Sequence, residues 1–173
     1  YLVSRLGADR LVTRQELEKL MLFAKKTKHL SIDDASCLLE DSGAMSVEEL
    51  VYAVTDGSYK KITLYAARAA EEGVSSIAVL RGIQRHLYRL YQVNQAVQSG
   101  KNISDAMNNL KPPVFFPFKS RFQKQLGRWT PSLLERALDL MLETEVTCKT
   151  GQMPERAVFK HSLFKTTQLP KNN

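Results

Sequence analysis

The chain has 173 residues, 43% hydrophobic and 25% charged, with a formal net charge of +7. That balance excludes a disordered chain, and no apolar run reaches the roughly eighteen residues needed to span a membrane. The opening "YLVSRLGADR" lacks the apolar stretch of a secretory signal, and a start at Tyr1 rather than Met is expected of a piece of a longer protein.

Helix signals recur along the chain and strand signals do not. "TRQELEKLMLFAKK" places Thr13 and Glu16 in capping-box spacing, then Leu17, Leu20, Met21 and Ala24 on one face. "SIDDASCLLE" repeats the signature more weakly from Ser31, and "SVEELVYAVTDG" repeats it with Ser46 and Glu49, Gly57 being the expected stop. The Gly43-containing turn "EDSGAMS" is the expected domain boundary. A further helix is expected from about Tyr59 to Glu72, ended by Gly73.

Residues 75–99 form the longest pattern, with Leu80, Ile83, Leu87, Leu90 and Val97 on one seam and Asn94 among them. Arg81, Arg85 and Arg89 are four apart and stack along the side roughly opposite that seam. Short helices are expected near Ile103–Leu110 and Lys119–Arg128. A long one follows Thr130, with Pro131 at the first turn, where proline costs least, and stops at Gly151. The last begins near Pro154 and carries Val158, Phe159, Leu163 and Phe164, leaving a frayed "QLPKNN" end. Eight or nine helices with short connections make an all-α protein.

Signals for catalysis are absent. There is no phosphate-binding GxxxxGK[ST] and no GxGxxG, so no cofactor is expected. Cys37 and Cys148 form no CxxC pair, and His29, His86 and His161 lack metal-ligand spacing. The two thiols are expected to be small core residues.

Charge is the informative feature. Residues 75–128 hold nine basic residues against one acid, Asp105, for +8, whereas 1–74 carry −2 and 129–173 carry +1. Such segregation suggests a surface facing something negative. Within it, "KPPVFFPFKSRFQKQLGRWT" (111–130) interleaves rings with cations. Pro112 and Pro113 end the preceding helix, and Val114, Phe115, Phe116 and Phe118 are too apolar to face water. Phe122, Leu126 and Trp129 form a helix face expected to seat against the core. Lys119, Arg121, Lys124 and Arg128 cover other angles and, with Arg81, Arg85 and Arg89, make up the candidate DNA- or partner-facing surface. Solvated amphipathic faces account for the same arginines equally plainly.

Five segments in order resemble the C-terminal part of the delta subunits of bacterial DNA polymerase III clamp loaders, most closely the alphaproteobacterial type. They are "LGADRLVTRQELEKLMLFA", "SIDDASCLLEDSG", "VEELVYAVTDGSYKKITLYAARAAEEGVSSIAVLRGIQRHLYRLYQV", "PPVFFPFKSRFQKQLGRW" and "ETEVTCKTGQMPERAV". Ser75–Ser76 and Pro117 depart from the family pattern. The resemblance implies that 1–44 are the end of an AAA+ lid-type helical domain and that 45–173 are a collar-type helical bundle. It further implies a non-catalytic cytoplasmic subunit that assembles with ATPase motor subunits and delta-prime. Primer-template DNA would lie beneath the collar, and the sliding clamp would be met only through an upstream domain. A stand-alone basic DNA-binding module is the competing expectation.

Overall fold

The computed structural model describes residues 10–30, 35, 43–114, 118–151 and 153–171. Among them it is all-α, with no strand: α1 (Arg10–Thr27), α2 (Gly43–Asp56), α3 (Tyr59–Glu71), α4 (Ser76–Gln98), α5 (Ile103–Asn108), α6 (Lys119–Arg128), α7 (Pro131–Thr150) and α8 (Glu155–Gln168), closed by a 3-10 turn at Leu169–Lys171. The chain divides into two compact units, Tyr1–Ser46 and Val47–Asn173.

In the first unit α1 begins three residues before the expected Thr13 cap, which therefore lies within the first turn. Leu20 is buried on its face as the spacing predicts, but Met21 is exposed. The "SIDDASCLLE" expectation, Cys37 included, lies outside the described residues apart from Ala35, which is helical and buried.

The second unit is organised around α4 and α7, which run antiparallel: Arg81 and Gln84 reach Glu145, and Tyr91 reaches Glu135. Leu80, Ile83, Leu87 and Leu90 of α4 and Leu134, Ala137 and Met141 of α7 are fully buried between them and their neighbours. The seam predicted from spacing is the core. Gly82 lets α2 approach α4 closely, since a Cβ there would lie 3.3 Å from Cγ2 of Val51.

Local start and stop signals are used as chemistry requires. The Ser75 hydroxyl caps α4 by accepting from Ala78 N, the Asn102 side chain caps α5, and Thr130 caps α7 with Pro131 behind it. Helix α2 differs: it starts at Gly43, so the glycine expected in a turn is helical and Ser46 sits in the first turn. Of the end expected to fray, Leu169–Lys171 form the 3-10 turn with Leu169 and Pro170 half-buried, and Asn172 and Asn173 lie outside the described residues.

The C-terminus of α2 carries the most consequential local feature. Gly57 takes φ +82°, a conformation costly to any residue with a Cβ. Its N–H donates to Val54 O and the next N–H, of Ser58, to Ala53 O, the paired bonds of a Schellman stop. The same pairing closes α3 at Gly73 and α4 at Gly100. A Cβ on Gly57 would also meet the Arg128 guanidinium at 2.4 Å. Gly57→Ala is therefore expected to cost about 2 kcal/mol, from backbone strain and displacement of Arg128. The check is a urea titration against the parent chain.

Candidate interaction surface

The described apolar residues of segment 111–130 turn inward. Val114, Phe118, Phe122 and Trp129 are buried, and Leu126 is half-buried. Phe115 and Phe116 lie outside the described residues. Phe118 stacks on Tyr52 of α2 with ring centroids 4.4 Å apart, and His86 of α4 sits between Tyr52, at 4.5 Å, and Phe122, at 5.5 Å edge-on. Rings held this way are not presented for base stacking.

These rings frame a polar corner centred on Asp56. One carboxylate oxygen accepts from Gln125 Nε2 at 2.5 Å, and the other accepts from Arg121 Nε and Nη2 at 3.0 and 2.7 Å. The second terminal nitrogen of Arg121, Nη1, donates to both oxygens of Glu49, and its guanidinium lies over Tyr52 at 4.8 Å. Gln125 in turn meets His86 Nε2 at 2.7 Å. Three further bonds reach carbonyls at the end of α2: those of Asp56 and Thr55 lack a bond within the helix, and that of Val54 already accepts from Gly57 N. Arg128 donates to Asp56 O, the Trp129 indole to Thr55 O, and Thr167 of α8 to Val54 O. A corner this fully partnered holds α2, α4, α6 and α8 together.

The seven cations expected to form one surface are consequently divided. Arg121 and Arg128 are half-buried and engaged in the Asp56 corner. Arg89 donates to Pro112 O at 3.0 Å, lies over the Phe122 ring, and has its basicity lowered by burial. Lys119 reaches Asn108 Oδ1 at 3.5 Å. Arg81 pairs with Glu145, a partner 64 residues away that the lack of acids near the stripe did not foretell. Arg85 and Lys124 are exposed, with no hydrogen-bond or ion-pair partner among the described residues. The stripe 81/85/89 is thus split in what it meets: Arg89 reaches Pro112 O and the Phe122 ring of α6, while Arg81 bonds Glu145 of α7 and, with Arg85, lines a groove against that helix.

Between α4 and α7 that split leaves an open groove of about 480 Å³, lined by Arg81, Gln84, Arg85, Tyr88, Asp139 and Leu142 and floored by the half-buried Leu138. Tyr88 is 54% exposed and Leu142 58% exposed, and Val146 one turn on is 53% exposed. Sequence spacing predicted the buried face of α4 and only the ends of α7, and it passed over these residues, because Tyr88 breaks no pattern and Leu142 sits within an apolar run. Their signal was an apolar residue off the seam on each of two long helices.

Two titrating groups respond differently to acid. Burial drives the His86 imidazole down from its ordinary 6.5 to about 4 against the bond to Gln125, so the folded chain keeps it neutral. The unfolded chain binds that proton near pH 6.5 and the folded chain near 4. Stability is therefore full above 6.5 and falls as pH drops between the two, by up to about 3 kcal/mol. Hydrogen bonds from Lys149, then Gln84 and Arg81, hold Glu145 down at about 2, so its contribution is present above its ordinary 4.5 and is lost only below it. Melting temperatures at pH 7, 5.5 and 4.5 should fall in step for the parent chain and less for His86→Gln. Equal slopes would remove His86 as the cause. The Cys148 thiol is half-buried, and burial, aided by Glu155, raises its pKa. Among the described residues no cluster of His, Cys, Asp or Glu could hold a metal, and no helix is long and apolar enough to cross a membrane.

Fold and corner together define a helical bundle whose polar centre is spent on its own architecture. No family model matches the chain, and no solved structure matches it. Over 149 residues it is 21% identical to a Rickettsia prowazekii (strain Madrid E) protein named "Probable DNA polymerase III subunit delta". The match covers 86% of this chain and 46% of that protein, so the chain spans about half the length of the relative.

Proposed function

We propose that this chain is the non-catalytic C-terminal part of a clamp-loader delta subunit, residues 1–44 ending a lid-type domain and 45–173 forming the collar-type bundle. In this reading it assembles in the cytoplasm with the ATPase motor subunits and delta-prime, and helps load the sliding clamp on primed DNA. Contact with the clamp falls to a domain upstream of these residues. The observation that carries the reading is the similarity along 86% of the chain to a protein of that name. The all-helical fold agrees with it.

The competing DNA-binding module draws its support from the +8 segment, and the geometry weakens that support. Five of its cations, Arg81, Arg89, Lys119, Arg121 and Arg128, hold acceptors within the chain, and the rings of Phe118 and Phe122 are buried. Light scattering after size exclusion tests the two readings, with the chain mixed with ATPase and delta-prime subunits of one loader. A co-eluting complex is expected. No complex, together with tight primer-template binding by the chain alone that weakens steeply with salt, would favour the module instead.

A further inference from the structure

We propose that the groove between α4 and α7 docks an amphipathic helix of a neighbouring subunit, one with an apolar stripe and a carboxylate along the edge that overlies α4. The inference rests on the subunit reading above and names the surface and the partner chemistry that would serve it.

Shape comes first. Two antiparallel helices side by side leave a furrow between their ridges, and the natural filler of such a furrow is a third helix. Along α7, Leu138, Leu142 and Val146 recur every four residues over about 12 Å of axis; Leu138 and Leu142 line the groove with Tyr88 of α4, and the exposed Val146 follows one turn beyond. That length matches an apolar stripe of three residues at i, i+4 and i+7 on the incoming helix. Large apolar side chains left half open on adjacent elements mark interaction sites, whereas scattered ones do not.

Charge then selects the occupant. The α4 wall offers Arg85, exposed and without a partner among the described residues, beside Arg81, which engages Glu145 through Nε and keeps most of its surface open. Glu145 is already shared with Lys149, so this wall retains positive charge. Asp139 stands on the opposite wall. A helix with an acidic edge over Arg81 and Arg85 matches that arrangement, and a basic or polar edge suits Asp139. A nucleic-acid strand does not: Asp139 repels phosphate, and Leu142 and Val146 give it nothing to bind.

The test compares affinities of the chain and two variants, Leu142→Asp and Arg85→Glu, for the reconstituted ATPase and delta-prime subunits, using a labelled chain in a fluorescence titration. Both positions are exposed, so the circular dichroism and melting of the variants should match the parent. Each variant is expected to weaken binding at least tenfold. Leu64→Asp, equally exposed on α3, should bind like the parent. Parent-like binding by both groove variants would overturn the groove and leave the subunit reading standing. Failure of the parent chain itself to bind would overturn both. A concentration-dependent doubling of mass in the parent alone, abolished by Leu142→Asp, would overturn the proposal in favour of a second copy as the occupant.

Discussion

Trp129→Ala is expected to lower the unfolding free energy by about 4 kcal/mol, the largest single-residue loss in the bundle. Against a total of about 5–15 kcal/mol for an ordinary domain, that removes a quarter or more of the stability. The reason is that Trp129 serves three elements at once. Its ring is 1% exposed, its indole N–H donates to Thr55 O of α2 at 2.9 Å, and its own carbonyl accepts from Asn94 of α4 at 2.8 Å. Truncation leaves a cavity at the junction and strands the Thr55 carbonyl. Trp129→Phe keeps most of the volume and loses only the indole bond, so it should cost about 1–2 kcal/mol. Because Trp129 is the sole tryptophan, unfolding must be followed by circular dichroism. A loss below 1 kcal/mol for the alanine variant would mean the ring is not the keystone described.

Much of the bundle was legible because its helices obey local rules. The span of α6, the Thr130–Pro131 start of α7 and the Gly57, Gly73 and Gly151 stops each follow from one or two residues whose chemistry admits few alternatives. A capping pattern did not always mark the start: at α1 and α2 the Thr13 and Ser46 patterns lie inside the helix instead of ahead of it. The surface was harder to see. Spacing placed Arg81, Arg85 and Arg89 on one side of α4, which they share. What Arg81 and Arg89 meet depends on partners 64 and 23 residues away, which no periodicity encodes. In the ring-and-cation segment the apolar character of the aromatics pointed to the core, and Phe118, Phe122 and Trp129 are buried there, but the partners of the cations between them were not legible.

This division of the cations changes where interaction is to be sought. Net charge argues about association and says little about which residues touch a partner. Of the +8 in residues 75–128, the arginines nearest the aromatics are internal struts, while Arg81 and Arg85 border exposed apolar surface. Lys101, Lys111 and Lys124 are also without a hydrogen-bond or ion-pair partner among the described residues, and none of them belongs to the groove-lining set. A partner that uses the groove would combine burial of Tyr88 and Leu142 with these arginines. A purely electrostatic contact would ignore the apolar residues and respond to salt alone.

The Asp56 corner yields the second large effect and decides what Arg121 is for. Asp56→Ala is expected to cost about 2–3 kcal/mol. It removes the acceptor of Gln125 and one of the two carboxylates that hold a half-buried guanidinium, and breaking such a pair from one side strands the remaining charge. The figure lies below that for a fully buried pair because both side chains keep about a quarter of their surface in water, 25% for Arg121 and 28% for Asp56, and solvent screens them. Glu49 still holds Arg121 in the variant, which limits the loss further. Arg121→Ala should cost a similar amount, and the double variant should cost less than the two summed, with a coupling of about 1–2 kcal/mol from urea titrations. Coupling near zero, combined with a fall in partner or DNA affinity for Arg121→Ala at unchanged stability, would make Arg121 a recognition residue that only rests on Asp56. Strong coupling with unchanged affinity makes it a strut, and the search for the recognition surface then moves to the α4–α7 groove.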